Sequence, residues 1–179
     1  MASSILTPYG TLCFPVVWEA KSPVPGQEPR FSIMLLIDEA HQKGPEFKAL
    51  QNEILVAAQE KFGAKLPPNL RMPIRKAEEK AQYEGFTPGK VFISPWTKQR
   101  PGLVDNMRNE ILTKEDIWPG QTARAWIRPF GYDTQGNKGV GLMLEHVQIV
   151  KKDMPRIDGR KAASQVFGDV PDDADADVV

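Results

Sequence analysis

Between Thr122 and Tyr132 the chain reads TARAWIRPFGY, and its even and odd positions carry different chemistry. As a β-strand, this stretch sends alternate side chains to opposite faces. Ala123, Ala125, Ile127, Pro129 and Gly131 form a small, apolar face suited to a core. Thr122, Arg124, Trp126, Arg128, Phe130 and Tyr132 form the other, which interleaves guanidinium groups with three aromatic rings. Unpaired nucleic acid matches that combination, because cations meet phosphates while flat rings stack on bases of any identity, at ~1–3 kcal/mol per stacked base. The ordinary alternative is that the rings belong to the core and the arginines snorkel around them. Arg124 and Arg128 flanking Trp126 on one face weigh against it.

The stretch VFISPWTKQR (91–100) repeats the device more weakly. Phe92, Trp96, Lys98 and Arg100 share a parity, while Val91 and Ile93 point the other way. From Arg71 to Arg100 there are seven basic residues (71, 75, 76, 80, 90, 98, 100) against Glu78, Glu79 and Glu84, with Tyr83 and Phe86 interleaved. Such a run taken alone is usually solvated surface.

Signatures of catalysis are weaker. His41 and His146 are the two histidines and form no short-spaced ligand pair. Cys13 falls in an expected strand, where a buried, inert thiol is usual. There is no G-x-S-x-G elbow. GFTPGKV is one residue short of a phosphate loop and has Val91 where the Mg²⁺-binding hydroxyl belongs. GVGLML lacks the third glycine of a dinucleotide fingerprint and follows a hairpin turn. Asp105, Glu115 and Asp116 are candidates for a metal-dependent nuclease, although acidic residues near turns and helix starts are generally solvated or capping. No catalytic residue, metal ligand or cofactor site is read.

The elements that would carry these residues are mostly strands. Residues 9–19 alternate in part, with Leu12, Phe14, Val16 and Trp18 at period two. The Pro-rich AKSPVPGQEP (20–29) must be an exposed loop. RFSIMLLI (30–37) is a second strand, with Phe31, Ile33, Leu35 and Ile37 on one face. A helix opens at Gly44 and Pro45, runs through Phe47, Leu50, Ile54, Ala57 or Ala58 and Phe62, and ends at Gly63. Residues 64–90 read as a long loop in which LRMPIRK can add a short edge strand; loops of this length are usually functional or mobile. After VFISPWTK come the turn QRPG, an extended LVD and a short helix from Thr113 with Asp116 in a weak capping box. The strands 122–132 and 138–150 pair as a hairpin through the five residues DTQGN. Beyond Lys152, ASQVF alone offers order.

The chain has 179 residues, with 23 Lys plus Arg balanced by 23 Asp plus Glu, the size of one ordinary domain. Its 41% apolar and 26% charged content excludes collagenous, disulfide-framework and wholly disordered classes. No apolar run reaches 18 residues and MASSILTPYG lacks a signal-peptide pattern, so a soluble, cytoplasmic protein without membrane partners is expected. A single cysteine fits a reducing compartment. The neutral total hides an asymmetry: Asp169, Asp172, Asp173, Asp175 and Asp177 occupy the last eleven residues without a basic partner, leaving residues 1–168 at +5 against a tail of −5.

VFISPWTKQRPGLVDN and GYDTQGNKGVGLMLEHVQIVKK closely resemble the single-stranded-DNA-binding proteins of tailed bacteriophages, a family with a similar F-I-S stretch before K-x-R-P-G and a similar G-N-K-G turn before an H-V-Q strand. The resemblance covers most of residues 9–168. It implies an OB-fold, a five-stranded β-barrel, here mainly β with one long helix and a disordered acidic tail over 169–179. It further implies sequence-independent binding of single-stranded DNA in phage replication and recombination, in the host cytoplasm. Phe92, Ile93, Ser94, Lys98, Arg100, Pro101, Gly102, Gly136, Asn137, Lys138 and Gly139 match by position. Of these, the glycines and Pro101 are read as turn formers, Phe92 and Ile93 as core, and Lys98, Arg100 and Lys138 as DNA contacts. Together with the alternating face, the expected contacts are Trp96, Trp126, Phe130 and Tyr132 on bases, and Lys98, Arg100, Arg124, Arg128 and Lys138 on phosphates. In an OB barrel the ligand crosses strands two and three between the one–two and four–five loops, here AKSPVPGQEP and DTQGN. The long helix departs from the pattern, because it follows strand two and not strand three. The acidic tail looks like those of related proteins, which occupy the basic groove or recruit replication and recombination partners. It ends in Val178 and Val179 where related tails often end in an aromatic. A metal-dependent nuclease, or an adaptor using the aromatic face for protein contacts, are the alternative functions, and homo-oligomerisation is left open.

Overall fold

The computed structural model describes residues 2–151, 153–158 and 166–170. Its strands are β1 (Ile5–Leu6), β2 (Gly10–Lys21), β3 (Arg30–Ile37), β4 (Arg75–Lys76), β5 (Val91–Ile93), β6 (Trp96–Thr97), β7 (Gly102–Val104), β8 (Thr122–Thr134) and β9 (Asn137–Lys151). The pairings close on themselves: β8 pairs β2, β2 pairs β3, β3 pairs β6, β6 runs parallel to β9, and β9 pairs β8. The third stave is broken into β5, β6 and β7, of which β5 pairs β3 and β7 runs parallel to β9. Five staves in the order one-two-three-five-four, returning to one, with the third and fifth parallel, make an OB-type barrel. Closure removes the unpaired edges that an open sheet would present.

Alternation decides what fills the barrel. Leu12, Ile33, Leu35, Ile37, Ile93, Ala123, Ala125, Ile127, Leu142, Leu144, Val147 and Ile149 are all buried. Burying one Leu or Ile side chain is worth about 1.5–3 kcal/mol, so this inward row is the main source of stability.

Helix α1 (Glu39–Gln42) is capped by Asp38, whose carboxylate accepts from the His41 backbone N–H. It is followed by α2 (Pro45–Phe62), which starts with Pro at its first turn and stops at Gly63, where φ is +87°. Phe47, Leu50, Ile54, Ala57 and Ala58 are its buried residues and belong to the barrel core cluster. The helix passes so close to β8 that a side chain at Gly131 would meet Lys61 Cβ at 2.4 Å. As the sequence implies, the long helix follows the second stave; the place between the third and fourth holds one 3₁₀ turn, Lys114–Asp116, without a side-chain cap. The helix expected from Thr113 is reduced to that turn.

Two further readings change. The hairpin loop is two residues long, because pairing continues to Thr134↔Asn137. Gln135 (φ +51°) and Gly136 (φ +85°) supply the left-handed pair that matches a tight turn to strand twist. The strand expected over 91–98 is interrupted at Ser94–Pro95. Residues 64–90 are a cover: Ala77 and Phe86 pack with Cys13, Leu36 and Phe92 on the outside of β2, β3 and β5. After β9 the chain is pinned where Trp118 Nε1 donates to the Met154 carbonyl and Ile157 N–H to that of Pro119. Most of ASQVF and of the acidic tail lies outside the described residues. Among the described residues no helix is long and apolar enough to cross a membrane.

Candidate nucleic-acid interface

The outward face of the barrel gathers its rings where β3, β6, β9 and β8 lie side by side. Trp96 and Phe130 meet edge to face with centroids 6.1 Å apart, and Phe130 and Tyr132 follow at 6.4 Å. These residues come from two staves separated by β9, so something must let the rings reach across it. Directly opposite Phe130 is Gly141, and opposite Tyr132 is Gly139. A Cβ at Gly141 would stand 2.5 Å from the Phe130 ring, and one at Gly139 would stand 2.7 Å from the Tyr132 hydroxyl. The glycines of GVGLML leave the space over β9 that these two rings occupy. Gly102 does the same for His146, whose Nδ1 would lie 2.4 Å from an added Cβ. The reading of Gly102 and Gly139 as turn formers is therefore corrected: both lie inside strands, and only Gly136 makes a turn.

Cations surround this surface. The Arg30 guanidinium lies 4.6 Å from the Trp96 ring centre, and its partial burial lowers its pKa from the ordinary value. Arg128 is exposed and donates to Met143 Sδ at 3.6 Å, and Met143 is the residue paired with Trp96. Lys138 is exposed beside the hairpin turn, opposite Asp133. Arg71 exchanges backbone hydrogen bonds with Lys138 and Val140, which brings its carbonyl and Cβ beside Gly139. From there an open groove of about 680 Å³ continues along Arg71, Met72, Ile74, Arg75, Lys76 and Glu79.

The remaining expected contacts stand farther out. Trp126 is 38% exposed opposite His146 and, among the described residues, is not part of the chain of rings. Arg124 is already engaged, donating to Gln148 Oε1 at 2.8 Å and lying 5.3 Å over Tyr9. Lys98 pairs with Glu28 at 2.8 Å, which ties β6 to the Pro-rich loop. Arg100 lies 4.9 Å over Trp18. The geometry thus unites Trp96, Phe130, Tyr132 and Arg128 in one patch and adds Arg30, Arg71, Met143 and Gly141. Sequence reading missed Arg30, although its parity opposite Phe31, Ile33, Leu35 and Ile37 marks it as the first outward residue of its strand; Gly141 carried no signal without the pairing register.

Other candidates for chemistry have structural occupations. Phe92 is buried against Phe86, with centroids 5.8 Å apart. Burial pushes the Cys13 thiol up to about 12, which makes it a poor nucleophile. Asp105 accepts from the backbone of Met107 and Asn109 at 2.8 and 2.9 Å, a turn-forming role. Glu115 and Asp116 sit in the 3₁₀ turn. Among the described residues no three His, Cys, Asp or Glu side chains group as a metal site.

A family model described as the single-stranded-DNA-binding protein of Enterobacter phage Enc34 matches residues 4–179. Among solved structures, the single-stranded-DNA-binding protein from bacteriophage Enc34 in complex with single-stranded DNA superposes with a TM-score of 0.72 at 21% identity, covering 84% of this chain and 87% of the other. The gp2.5 single-stranded-DNA-binding protein encoded by bacteriophage T7 superposes with a TM-score of 0.61 at 18% identity, covering 89% and 91%. No curated protein matches the chain.

Proposed function

Because the chain belongs to the family of the Enterobacter phage Enc34 single-stranded-DNA-binding protein, we propose that it binds single-stranded DNA without sequence preference, through the face holding Trp96, Phe130 and Tyr132. The observation that carries this reading is the row of rings laid over Gly139 and Gly141 and bordered by Arg30, Arg71, Arg128 and Lys138. Rings lodged over strand glycines are already held in place and stack on bases at little ordering cost, and the cations around them lie where a sugar-phosphate backbone would run. Trp126 and Arg124 extend the face toward one end of β8, and Lys98 and Arg100 toward the Pro-rich loop. None of these contacts depends on base identity. The protein acts on the single strands exposed in phage DNA replication and recombination, in the host cytoplasm.

Titration with fluorescently labelled oligo-dT at two salt concentrations tests this. Micromolar or tighter binding that weakens as salt rises is expected, because each neutralised phosphate contributes a slope of about −0.7 for single strands. Binding indifferent to salt, or none at micromolar protein, rules the reading out.

Residues 1–168 are the binding domain, and the acidic stretch 169–179 competes with DNA for it or recruits replication and recombination proteins. A +5 body carrying its own −5 segment provides the charge complementarity for competition. Deleting 169–179 is expected to raise oligo-dT affinity, most at low salt. Equal affinity with and without the segment would leave recruitment as its role.

A further inference from the structure

We propose that Phe14 and Tyr83 form a second base-stacking station for the same DNA strand, on the outer face of β2 and β3. The proposal rests on the function argued above and extends it to residues on the far side of β3. Its starting point is a register fault. Cys13 pairs with Met34 and Val16 with Ser32, so β2 carries one residue more than β3 across this interval. In unbroken alternation Phe14 would follow Leu12 into the core. It adopts φ +45° instead, a left-handed conformation that is an outlier for a bulky residue. Bulges re-aim side chains, and this one leaves the Phe14 ring outside, 46% exposed.

Beneath it Phe86 and Phe92 are buried, Phe86 lying 6.5 Å from Phe14 and 6.1 Å from Tyr83 between ring centroids, while Phe14 and Tyr83 stay on top, edge to face at 4.9 Å, with Tyr83 42% exposed. Backbone bonds from Tyr83 to Lys80 and from Phe86 to Tyr83 fix the segment that presents it. The Lys80 ammonium stands 5.9 Å from the Tyr83 ring, and Arg75 lies 6.0 Å over Phe92 on the side of the basic groove.

The occupant follows from charge and continuity. The outward residues of β3 run Arg30, Ser32, Met34. Ser32 pairs with Trp96 on one side and Val16 on the other; Met34 pairs with Cys13, next to the bulge. Two residues of strand advance about 6.6 Å, so a single strand leaving Trp96 across β3 meets Phe14 and Tyr83 next. A strand of DNA has both the flat bases and the phosphates that these rings and cations take.

Two variants test the station. Phe14→Asn removes the ring and keeps a residue that tolerates left-handed backbone; Tyr83→Ser removes the other ring from an exposed turn. Affinities are measured with oligo-dT of about 4 and about 16 nucleotides, the limits of site size for one OB barrel. Each variant is expected to lose about tenfold in affinity for the longer oligomer and to match the parent on the shorter. In the parent, iododeoxyuridine in the longer oligomer crosslinks to Tyr83. Variants equal to the parent on the longer oligomer overturn the station while leaving the function intact, as does equal loss at both lengths. A parent that binds neither length overturns both.

Discussion

Replacing Trp96 and Phe130 together by alanine lowers the affinity for oligo-dT by about a hundredfold or more while leaving its salt dependence unchanged. Each stacked base is worth ~1–3 kcal/mol, and every 1.4 kcal/mol is tenfold, so two lost platforms reach that range. The two rings touch, with centroids 6.1 Å apart, and removing one leaves the other without its lateral support. The double variant therefore loses less than the sum of the singles. Neither substitution removes a charge, so the number of phosphates neutralised, and with it the slope of log affinity against log salt, stays as it was. Arg128→Ala and Lys138→Ala have the opposite signature, a smaller loss and a shallower slope. Isothermal titration at three salt concentrations separates them. An unchanged affinity in the double variant would mean that charge alone holds the DNA, and that the rings pack for stability.

Ile127→Ala destabilises the protein by about 2–5 kcal/mol, and Trp126→Ala, one residue away, by far less. Ile127 is fully buried inside the barrel, paired with Ile5 on β1 and with Leu144 on β9. Cutting it to alanine loses the transfer energy of three carbons and leaves a cavity that closed staves cannot collapse to fill. For a chain of this size each kcal/mol moves the melting temperature by about 2–4 °C. A thermal scan should place Ile127→Ala well below the parent and Trp126→Ala near it, with DNA affinity moving in the reverse order. Similar melting temperatures would mean that β8 does not divide an interior from an exterior.

That division was legible because β8 keeps a strict period of two from Thr122 to Phe130, and a strand with one wet face must alternate. The long helix was equally readable, from Pro45 and Gly63 at its ends and apolar spacing between them. Phe14 was not: its parity assigned it to the inner face with Leu12, and only an extra residue relative to β3 turns it out. Nor was Gly141, since a glycine beneath a ring looks in sequence like any glycine in a strand. Residues 64–90 read as an open loop because Pro67, Pro68 and Pro73 interrupt their apolar members, among them Leu66, Leu70, Ile74, Ala77 and Phe86, and most of the partners of these lie in strands distant in the chain. The candidate patch was half visible for the same reason. Local alternation exposed Phe130 and Tyr132, but their meeting with Trp96 depends on a parallel pairing between β6 and β9 that no short-range pattern encodes.

The arginines resting on Trp96, Trp18 and Tyr9 have a bearing on how the unoccupied protein behaves. An aromatic surface open to water invites self-association, and a guanidinium laid on a ring is a weakly hydrated lid that discourages it. An arriving base then trades places with a cation that needs to move only a few ångströms to meet the phosphate beside that base. Loading becomes an exchange of partners instead of the capture of a bare hydrophobic face, so the rings stay covered until single strands appear.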